Sequence, residues 1–205
     1  MILEIIKRRL RARWLYNVTL FVVAIIVGML LYVGQVQVQK ATRQSVPSID
    51  HSVDSKYQKI VFAGGCFWCT EAEFNHLPGV VAAISGFSGG TAVAPTYEEV
   101  SAGRTGHREA VLVYYNEAST TIDQLLITYW KHINPTDTKG QFVDKGQQYT
   151  TAIYYTTNQQ MQESLKTKKL IIDAKKFTSP VVTEILPYSN FYPAAEYHQD
   201  YKDKN

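Results

Sequence analysis

The sequence predicts an α+β fold in which helices pack against a mixed β-sheet as a two-layer αβ sandwich, preceded by one N-terminal transmembrane helix. Three observations predict it. Segments with helical spacing alternate with short β-branched and aromatic runs, the connections are short and irregular, and a long apolar run lies near the start of the chain. With 205 residues, 45% of them hydrophobic, the chain is long enough for one ordinary domain plus an appendage.

The N-terminal segment carries the signals of a membrane anchor. Residues 1–13 are basic, which predicts a cytoplasmic N-terminus. Residues 14–33 are almost wholly apolar, and about 20 such residues cross a hydrocarbon core as a helix. We therefore expect a single-pass cell-membrane protein with the domain that follows this segment outside the cytoplasm. A cleaved signal peptide, giving a secreted form, is the alternative, but the apolar run exceeds a signal core and no clear small-x-small site follows it.

The remaining chain divides into a tether and a domain. Residues 34–56 are polar and predict a flexible linker, and residues 57–205 are expected to form the folded domain. The net charge of the chain is +3, but residues 1–40 carry +5 and the rest carries −2. A nucleic-acid partner requires a basic patch on the folded domain, so this distribution argues against one.

The strands of the domain are predicted from short runs rich in β-branched and aromatic residues. These runs lie at 59–62, 80–85, 107–115, 152–155 and 180–186. The run at 107–115 is apolar on both faces, which predicts a central strand.

The helices are predicted from apolar spacing and from capping boxes. They lie at 66–75, after the capping box at 96–99, at 122–133, and from a second capping box at 157–160 to about residue 173. Residues 86–90 predict a glycine-rich loop that lacks the lysine of a phosphate-binding loop. Residues 134–149 have little periodicity, and the aromatic tail at 188–205 is not assigned.

The domain is organised around a strand-to-helix junction that carries both cysteines of the chain. Gly64 and Gly65 allow a sharp turn, and Cys66 then lies in the first turn of the helix, where the helix dipole favours the thiolate. Cys69 follows one helical turn later. Residues at that spacing share a face, so the two sulfurs could meet with modest local unwinding.

Three interpretations of these cysteines are open. They are two inert buried residues, half of a zinc site, or a redox-active or nucleophilic pair. A zinc site requires four ligands, and the five histidines have no ligand-type spacing with one another: His51, His76, His107, His132 and His198. The redox interpretation is favoured, and Phe67 and Trp68 between the cysteines suggest a pocket for a small apolar group such as a methyl.

Glu109 is the second candidate for chemistry. It lies in the predicted central strand, on the same face as Val111, Val113 and Tyr115. Desolvation there raises the pKa of a carboxyl group. Glu109 is therefore either a satisfied structural residue at a strand end or an acid that stays protonated near neutral pH and donates a proton.

Five ordered sequence blocks resemble the peptide methionine sulfoxide reductase A family. They are residues 65–69, residues 86–100 with Gly86-Phe87-Ser88-Gly89-Gly90 and Pro95-Thr96-Tyr97-Glu98-Glu99-Val100, residues 103–111, residues 144–149 and residues 196–201. The resemblance covers nearly all of residues 57–205 and leaves the N-terminal segment outside. It implies an α+β oxidoreductase that reduces methionine S-sulfoxide, peptide-bound or free, to methionine and so repairs oxidised proteins.

The resemblance also implies a role for each site residue. It implies that Cys66 is the nucleophile and that Glu109 is the acid that protonates the sulfoxide oxygen. Tyr97 and Tyr149 would donate hydrogen bonds to that oxygen. Phe67 and Trp68 would form the pocket for the substrate methyl group, and Asp144 would be a substrate-binding residue. His198 and Tyr201 match the tail block without an assigned role.

Recycling is expected to use the second cysteine. Many relatives have a resolving cysteine near the C-terminus, whereas here Cys69 is the only other thiol, so we expect it to form a disulfide with Cys66 that a thioredoxin-like donor reduces. The resemblance implies no metal and no organic cofactor.

Two other functions are compatible with the sequence. A membrane-tethered thioredoxin-like disulfide exchanger would use Cys66 and Cys69 but leaves Glu109, Tyr97 and Tyr149 without a role. An anchored binding module would use the two cysteines as a structural disulfide.

Overall fold

The computed structural model describes residues 21–32, 53 and 56–205, and the chain divides into two compact units, residues 1–44 and 45–205. In the first unit, residues 21–32 are helical with exposed side chains. Among the described residues, no helix is both long enough and apolar enough to cross a bilayer, so the predicted anchor at 14–33 is not supported. The rest of that segment, the basic residues 1–13 and most of the linker at 34–56 lie outside the described residues.

The second unit alternates strands and helices. Its strands are β1 (Gln58–Ala63), β2 (Val80–Ser88), β3 (Arg108–Tyr115), β4 (Gly140–Gln141), β5 (Asp144–Lys145), β6 (Ala152–Tyr155), β7 (Glu184–Pro187) and β8 (Tyr192–Pro193). Its α-helices are α1 (Phe67–Asn75), α2 (Tyr97–Ser101), α3 (Ile122–His132), α4 (Asn158–Asp173) and α5 (Tyr201–Lys204). Short 3-10 helices lie at Gln147–Tyr149 and Glu196–His198.

Six of these strands form one mixed sheet in the order β7-β6-β1-β3-β2-β8, while β4 and β5 form a separate hairpin. Only β6 and β7 pair in parallel, and α4 connects them; the other neighbours in this sheet are antiparallel. The mixed sheet is confirmed, and so is the central position of β3, which pairs with β1 and β2.

The two faces of β3 enter two different apolar clusters. Val111, Val113 and Tyr115 face the cluster that α1 and α3 cover. Ala110 and Leu112 face the opposite cluster, where the residues packed against it come from strands and loops. The alternation of a strand therefore puts Glu109 on the helix-covered face of the sheet, as the sequence predicted.

Side-chain caps define where α2, α3 and α4 begin. Thr96 and Glu99 form the predicted capping box of α2. The predicted box at α4 is half formed: Thr157 caps the helix, but the Gln160 side chain accepts from Thr156 N at 2.7 Å.

Three segments differ from the sequence prediction. Residues 86–88, predicted as loop, continue β2, because Gly86 has no Cβ and lets the carbonyl of Tyr192 and the ring of Phe191 approach the chain. The last predicted strand begins at Glu184 rather than at 180. The aperiodic stretch at 134–149 contains the β4–β5 hairpin and a 3-10 helix, and the unassigned tail contains β8, a second 3-10 helix and α5.

Candidate active site

Cys66 lies at the turn between β1 and α1. It is the N-cap of α1, with a non-helical ψ of 119°, and its carbonyl accepts from Thr70 N at 3.1 Å. Gly65 before it has a φ of +91°, and a Cβ there would lie 2.6 Å from Cβ of Gln141. The turn therefore requires glycine both for its backbone conformation and for the close approach of Gln141.

The thiol of Cys66 is more basic than the sequence predicted. Burial raises its pKa to about 12, and the charge of Glu109 adds to the increase. The backbone N–H groups of Cys69 and Trp68 bond to the sulfur and lower the pKa, which is the predicted effect of the helix end. Desolvation is the larger effect here, so the expected thiolate is wrong for the unliganded site, where Cys66 is a thiol.

Glu109 reaches the same turn from β3. Its side chain is buried, with 2% exposure, and Oε2 accepts from Phe67 N at 3.0 Å. Burial raises the pKa of Glu109 to about 7; the Phe67 N–H opposes the increase, and the charge of Asp144 adds to it. The partly desolvated carboxyl group expected from the strand pattern is present, and it is a candidate proton donor near neutral pH.

Two tyrosines complete the polar side of the site. Tyr97 is the first residue of α2, and Tyr149 closes the first 3-10 helix. Gln148 joins the two elements, because its Nε2 donates to Ser101 O at 2.7 Å. Burial raises the pKa of both tyrosines, and the charges of Glu109, Asp144 and Cys66 contribute. Both phenols are therefore protonated donors that lie within electrostatic reach of the acid and the thiol.

Asp144 lies in β5, and its charge acts on both Glu109 and Tyr149. Its hairpin is held by Gln141, whose side chain accepts from Asn134 N at 2.7 Å and donates to Asn134 O at 3.0 Å. Since the same Gln141 packs against Gly65, this residue links the loop of Asp144 to the cysteine turn. The aperiodic loop is thus ordered by a buried glutamine that the sequence analysis did not single out.

An aromatic wall forms the apolar side of the site. The ring of Phe67 lies 5.9 Å from Phe87 and 6.1 Å from Tyr97, centroid to centroid, and 6.1 Å from Trp68. Phe67 is buried and Trp68 half-buried. The two aromatic residues between the cysteines therefore form a continuous surface beside the thiol.

The tail fixes Trp68 in this wall. Trp68 Nε1 donates to Nδ1 of His198 at 3.1 Å, and the ring of Tyr201 stacks on the indole at 3.9 Å. An indole can only donate, so Nδ1 accepts and the proton of His198 is on Nε2. Burial lowers the pKa of His198 to about 4, which keeps the ring neutral. His198 and Tyr201, which had no assigned role, thus support a wall residue.

The tail itself is tied to α1 and β2. Glu71 of α1 accepts from Asp200 N at 2.8 Å and from Ser85 N at 3.2 Å, and Gln199 accepts from Ser85 N at 2.9 Å. The Cys-x-x-Cys helix and the last residues of the chain are therefore one hydrogen-bonded unit. Sequence periodicity contains no signal for such long-range pairs.

The second cysteine lies in the first turn of α1. Cys66 and Cys69 are both half-buried free thiols, and the Cys69 N–H bonds to the Cys66 sulfur. All eight residues singled out in the sequence thus lie at or around one turn. Within the described ranges, no three side chains of His, Cys, Asp or Glu are grouped to hold a metal ion.

Comparisons with known proteins agree with this arrangement. Residues 58–205 match the family "Peptide methionine sulfoxide reductase". The chain is 43% identical over 159 residues to the MsrA/MsrB protein of Vibrio cholerae, covering 78% of this chain but only 42% of that protein. It is 45% identical over 147 residues to MsrA of Listeria innocua, covering 72% of this chain and 83% of that protein.

A solved structure extends the similarity to the fold. Methionine sulfoxide reductase A of Corynebacterium diphtheriae superposes with a TM-score of 0.66 at 34% identity, covering 73% of this chain and 76% of that chain. The family match at residues 58–205 contains the cysteine turn, Glu109 and the two tyrosines. The chain therefore belongs to the peptide methionine sulfoxide reductase family, as an enzyme of the MsrA type that reduces methionine sulfoxide.

Proposed function

We propose that residues 57–205 reduce the S-epimer of methionine sulfoxide, in proteins and as the free amino acid, and thereby repair oxidised proteins. The observation that carries the proposal is the meeting of the Cys66 thiol and the Glu109 carboxyl group at the start of α1, beside Phe67 and Trp68.

The first step transfers oxygen from the substrate to Cys66. Glu109 protonates the sulfoxide oxygen, which makes the substrate sulfur electrophilic, and the Cys66 sulfur attacks it. The attack forms a bond between the two sulfurs. The hydroxyl group then passes to the Cys66 sulfur as that bond and the S–O bond of the substrate break, so Cys66 becomes a sulfenic acid and methionine leaves. Two electrons pass from the cysteine sulfur to the substrate sulfur, and the proton lost by the thiol is returned to Glu109, so the step requires no external proton.

The groups around the oxygen have complementary protonation states. Glu109, with its pKa raised by burial to about 7, is substantially protonated at neutral pH. Tyr97 and Tyr149 keep their phenol protons and donate hydrogen bonds to the oxygen as charge develops on it. The high pKa of Cys66 in the empty site means that its proton leaves only as the substrate oxygen is protonated, which couples the two transfers.

The apolar side of the site selects the methyl group. Phe67 and Trp68 form the surface on which the S-methyl of the substrate packs, and Asp144 lies on the polar side, where it binds the substrate backbone. A methyl group on this wall and an oxygen on the polar side make the site selective for one epimer once the peptide side of the substrate is also held. We assign the S-epimer because the resemblance to the MsrA family implies it.

Cys69 resolves the sulfenic acid. Its thiol attacks the Cys66 sulfur, water leaves with the oxygen, and a Cys66–Cys69 disulfide forms. Cys66 is already outside the helix as its N-cap and is bonded by the Cys69 N–H, so the two residues are adjacent before any unwinding. A thioredoxin-like dithiol then reduces the disulfide by exchange. Since every step moves electrons between sulfur atoms, the reaction requires neither a metal nor an organic cofactor.

We further propose, from the sequence alone, that residues 14–33 attach the protein to the cell membrane with the catalytic unit outside the cytoplasm. The electron donor would then be an exported thioredoxin-like protein, and the substrates secreted or surface proteins. Protease treatment of intact cells tests this topology: digestion of the catalytic unit is expected, and its protection would contradict the proposal.

The chemistry is tested by single turnover of the pre-reduced protein with an S-sulfoxide peptide, following methionine formation and the thiol count together. We expect one methionine per chain and loss of both thiols as a disulfide. Cys69→Ser should still form one methionine, leave Cys66 as a sulfenic acid and lose thioredoxin-supported recycling, while Cys66→Ser forms none.

Two results would contradict the proposal. Undiminished recycling of Cys69→Ser would remove the resolving role of Cys69. No methionine from the folded, reduced wild type, together with reduction of insulin disulfides, would replace the reductase by the disulfide exchanger.

A further inference from the structure

The hairpin of β4 and β5 ends in two large apolar residues that face solvent. Phe142 and Val143 form its two-residue tip, and they are 68% and 89% exposed. No other large apolar side chain that the structure describes is as exposed as Val143. Apolar groups stabilise a fold only when they leave water, so folding gains little from these two side chains.

The backbone of the tip is also unfavourable for these residues. Phe142 has a φ of +49°. In a two-residue hairpin turn, a positive φ at the first central position favours glycine, and Gly-Asn is a typical dipeptide of such a turn. The chain has a bulky aromatic residue there and a β-branched residue after it. Exposed apolar surface on a strained turn indicates that Phe142 and Val143 serve a function rather than the fold.

The hairpin places its tip at the rim of the active site. Gln141 and Asp144 are directly paired across it, so their side chains share one face of the hairpin. On that face Gln141 packs against Gly65, and the charge of Asp144 acts on Glu109. This face is therefore turned towards the cysteine turn, and the tip lies at the end of the hairpin, one and two residues before Asp144.

The tip is held in a fixed position by hydrogen bonds at the base of the hairpin. The Gln141 side chain accepts from Asn134 N at 2.7 Å and donates to Asn134 O at 3.0 Å. On the other strand, Gly146 N donates to Lys139 O at 2.7 Å. A rigid apolar surface loses little conformational entropy when a partner binds, so the tip is preorganised for binding.

The chemistry of the substrate identifies the occupant. Asp144 is proposed to bind the substrate backbone, and consecutive Cα atoms lie about 3.8 Å apart. In a protein substrate, the residues on either side of the oxidised methionine are therefore as close to that contact as Phe142 and Val143 are. Methionine normally packs among apolar residues, and its oxidation disrupts that packing. The tip thus offers an apolar surface to the kind of segment that oxidation releases from a core.

We propose that Phe142 and Val143 form a docking surface for apolar residues next to the oxidised methionine, so that the enzyme prefers sulfoxides in apolar polypeptide segments. The inference rests on the proposed function and deepens it, since it names the class of protein segment that the same site accepts. It assigns no catalytic role to the tip.

Binding to a chain that cannot react tests the docking surface separately from the chemistry. The full chain with Cys66→Ser is titrated by calorimetry with two acetylated and amidated peptides, leucine–methionine S-sulfoxide–leucine and serine–methionine S-sulfoxide–serine. We expect the leucine peptide to bind about tenfold more tightly, the effect of about two methylene groups leaving water. A change at the sulfoxide or at Asp144 affects both peptides alike, so the ratio of their Kd values reports the flanking residues.

A double substitution removes the apolar tip without weakening the hairpin. In the Cys66→Ser chain, Phe142→Gly with Val143→Asn supplies the dipeptide that suits this turn and should bind both peptides equally. The matched control, Leu165→Gln with Ile172→Gln, removes two half-exposed apolar residues from α4, which carries no site residue, and should keep the tenfold preference. With Cys66 restored, the preference in kcat/KM should follow the preference in Kd.

Four results would overturn the inference. They are equal binding of the two peptides by the Cys66→Ser chain, a preference that survives in the tip variant, loss of the preference in the α4 control, and a tip variant that is impaired only in reduction by a thioredoxin-like donor, which would make the reductant the occupant. Absence of sulfoxide turnover by the wild type, with the binding preference present and lost in the tip variant, would contradict the proposed function and leave the docking surface standing.

Discussion

The backbone N–H of Phe67 donates a 3.0 Å hydrogen bond to Oε2 of Glu109. This bond connects the first turn of α1 to the central strand. Its donor, Phe67, directly follows Cys66 in the sequence, so the buried acid lies beside the nucleophile. Because an N–H donor stabilises the carboxylate, it limits the increase in pKa that burial causes. The resulting value, about 7, is well suited to an acid that must both donate and regain a proton at neutral pH.

Glu109→Gln should lower the single-turnover rate of sulfoxide reduction by about 10²- to 10⁴-fold, the usual contribution of a positioned general acid. In the wild type the rate should fall as the pH rises through about 7, because the carboxyl group loses its proton there. The variant has no such proton and should lack this decline. Rapid-quench measurement of methionine formation between pH 5 and 9 checks both expectations, with Glu117→Gln at an exposed position as the control.

Asp144→Asn should move the midpoint of that pH profile to lower pH. The charge of Asp144 contributes to the raised pKa of Glu109, so its removal makes the acid stronger. The shift is read from kcat/KM, which reports the free enzyme. A midpoint that stays in place or moves upward would show that Asp144 does not act on Glu109 through its charge.

The Cys66 thiol should ionise only at high pH in the absence of substrate. In Cys69→Ser, where it is the only thiol, the thiolate absorbance and the rate of alkylation should still be rising at pH 10, since burial raises the pKa of Cys66 to about 12. The unfolded variant supplies the reference, with an ordinary cysteine pKa of about 8.5. A plateau below pH 8 in the folded protein would mean that the helix N-terminus lowers the pKa of Cys66 by more than desolvation raises it.

His198→Phe should weaken substrate binding more than it slows the reaction. Phenylalanine cannot accept from the Trp68 indole, and an unsatisfied buried donor costs about 1–3 kcal/mol. Trp68 should then lose its fixed position in the wall, which raises KM more than it lowers kcat. His198→Gln, whose amide oxygen can accept, should restore much of the effect, and His76→Phe at an exposed site serves as the control. An unchanged KM would leave His198 without this positioning role.

The sequence predicts those parts of the fold that depend on local periodicity. The core strand β3 and the helices α3 and α4 were predicted within one residue of their observed ends. A continuous apolar run marks β3, apolar helical spacing marks α3, and a capping sequence marks the start of α4. The cysteine turn and Glu109 were found from the glycine junction and the strand pattern, and Tyr97 and Tyr149 from the sequence blocks that resemble the family. The desolvation that raises the pKa of Cys66 was not predicted, because it depends on residues far apart in the sequence, as the contact of Gln141 with Gly65 shows.

The C-terminal tail is a second region whose structure depends on long-range contacts that local sequence patterns do not predict. Residues 188–205 have no periodic pattern, yet Gln199 and Glu71 fix them through hydrogen bonds to residues 114 and 129 positions away. Helix α4 is a different case. Its position is predicted correctly, but its buried residues are the polar Gln160 and Ser164, which an apolar pattern does not identify.

The free energy of unfolding should also depend on pH through the protonation of the buried Glu109 carboxyl group. Between pH 4.5 and 7 the native protein keeps a proton on Glu109 that the unfolded chain has lost, so this residue's contribution to the free energy of unfolding falls as the pH rises through that window. His198 acts in the opposite direction, because burial lowers its pKa to about 4 and the unfolded chain binds the extra proton up to about pH 6.5. Burial also raises the pKa of Glu71 to about 7, so the pH dependence of the wild type alone mixes these three groups.

Comparison with Glu109→Gln isolates the carboxyl group. The amide can keep its oxygen on the Phe67 N–H and carries no charge at any pH, while His198 is unchanged and cancels in the difference. The free energy of unfolding of the variant relative to the wild type should therefore increase from pH 4.5 to pH 7 by about 3 kcal/mol, the equivalent of the raised pKa at 1.36 kcal/mol per unit. Urea unfolding at four or more pH values measures it. A difference that is constant with pH would mean that Glu109 ionises in the native protein as readily as in the unfolded chain, and the assignment of Glu109 as a protonated acid at neutral pH would fail with it.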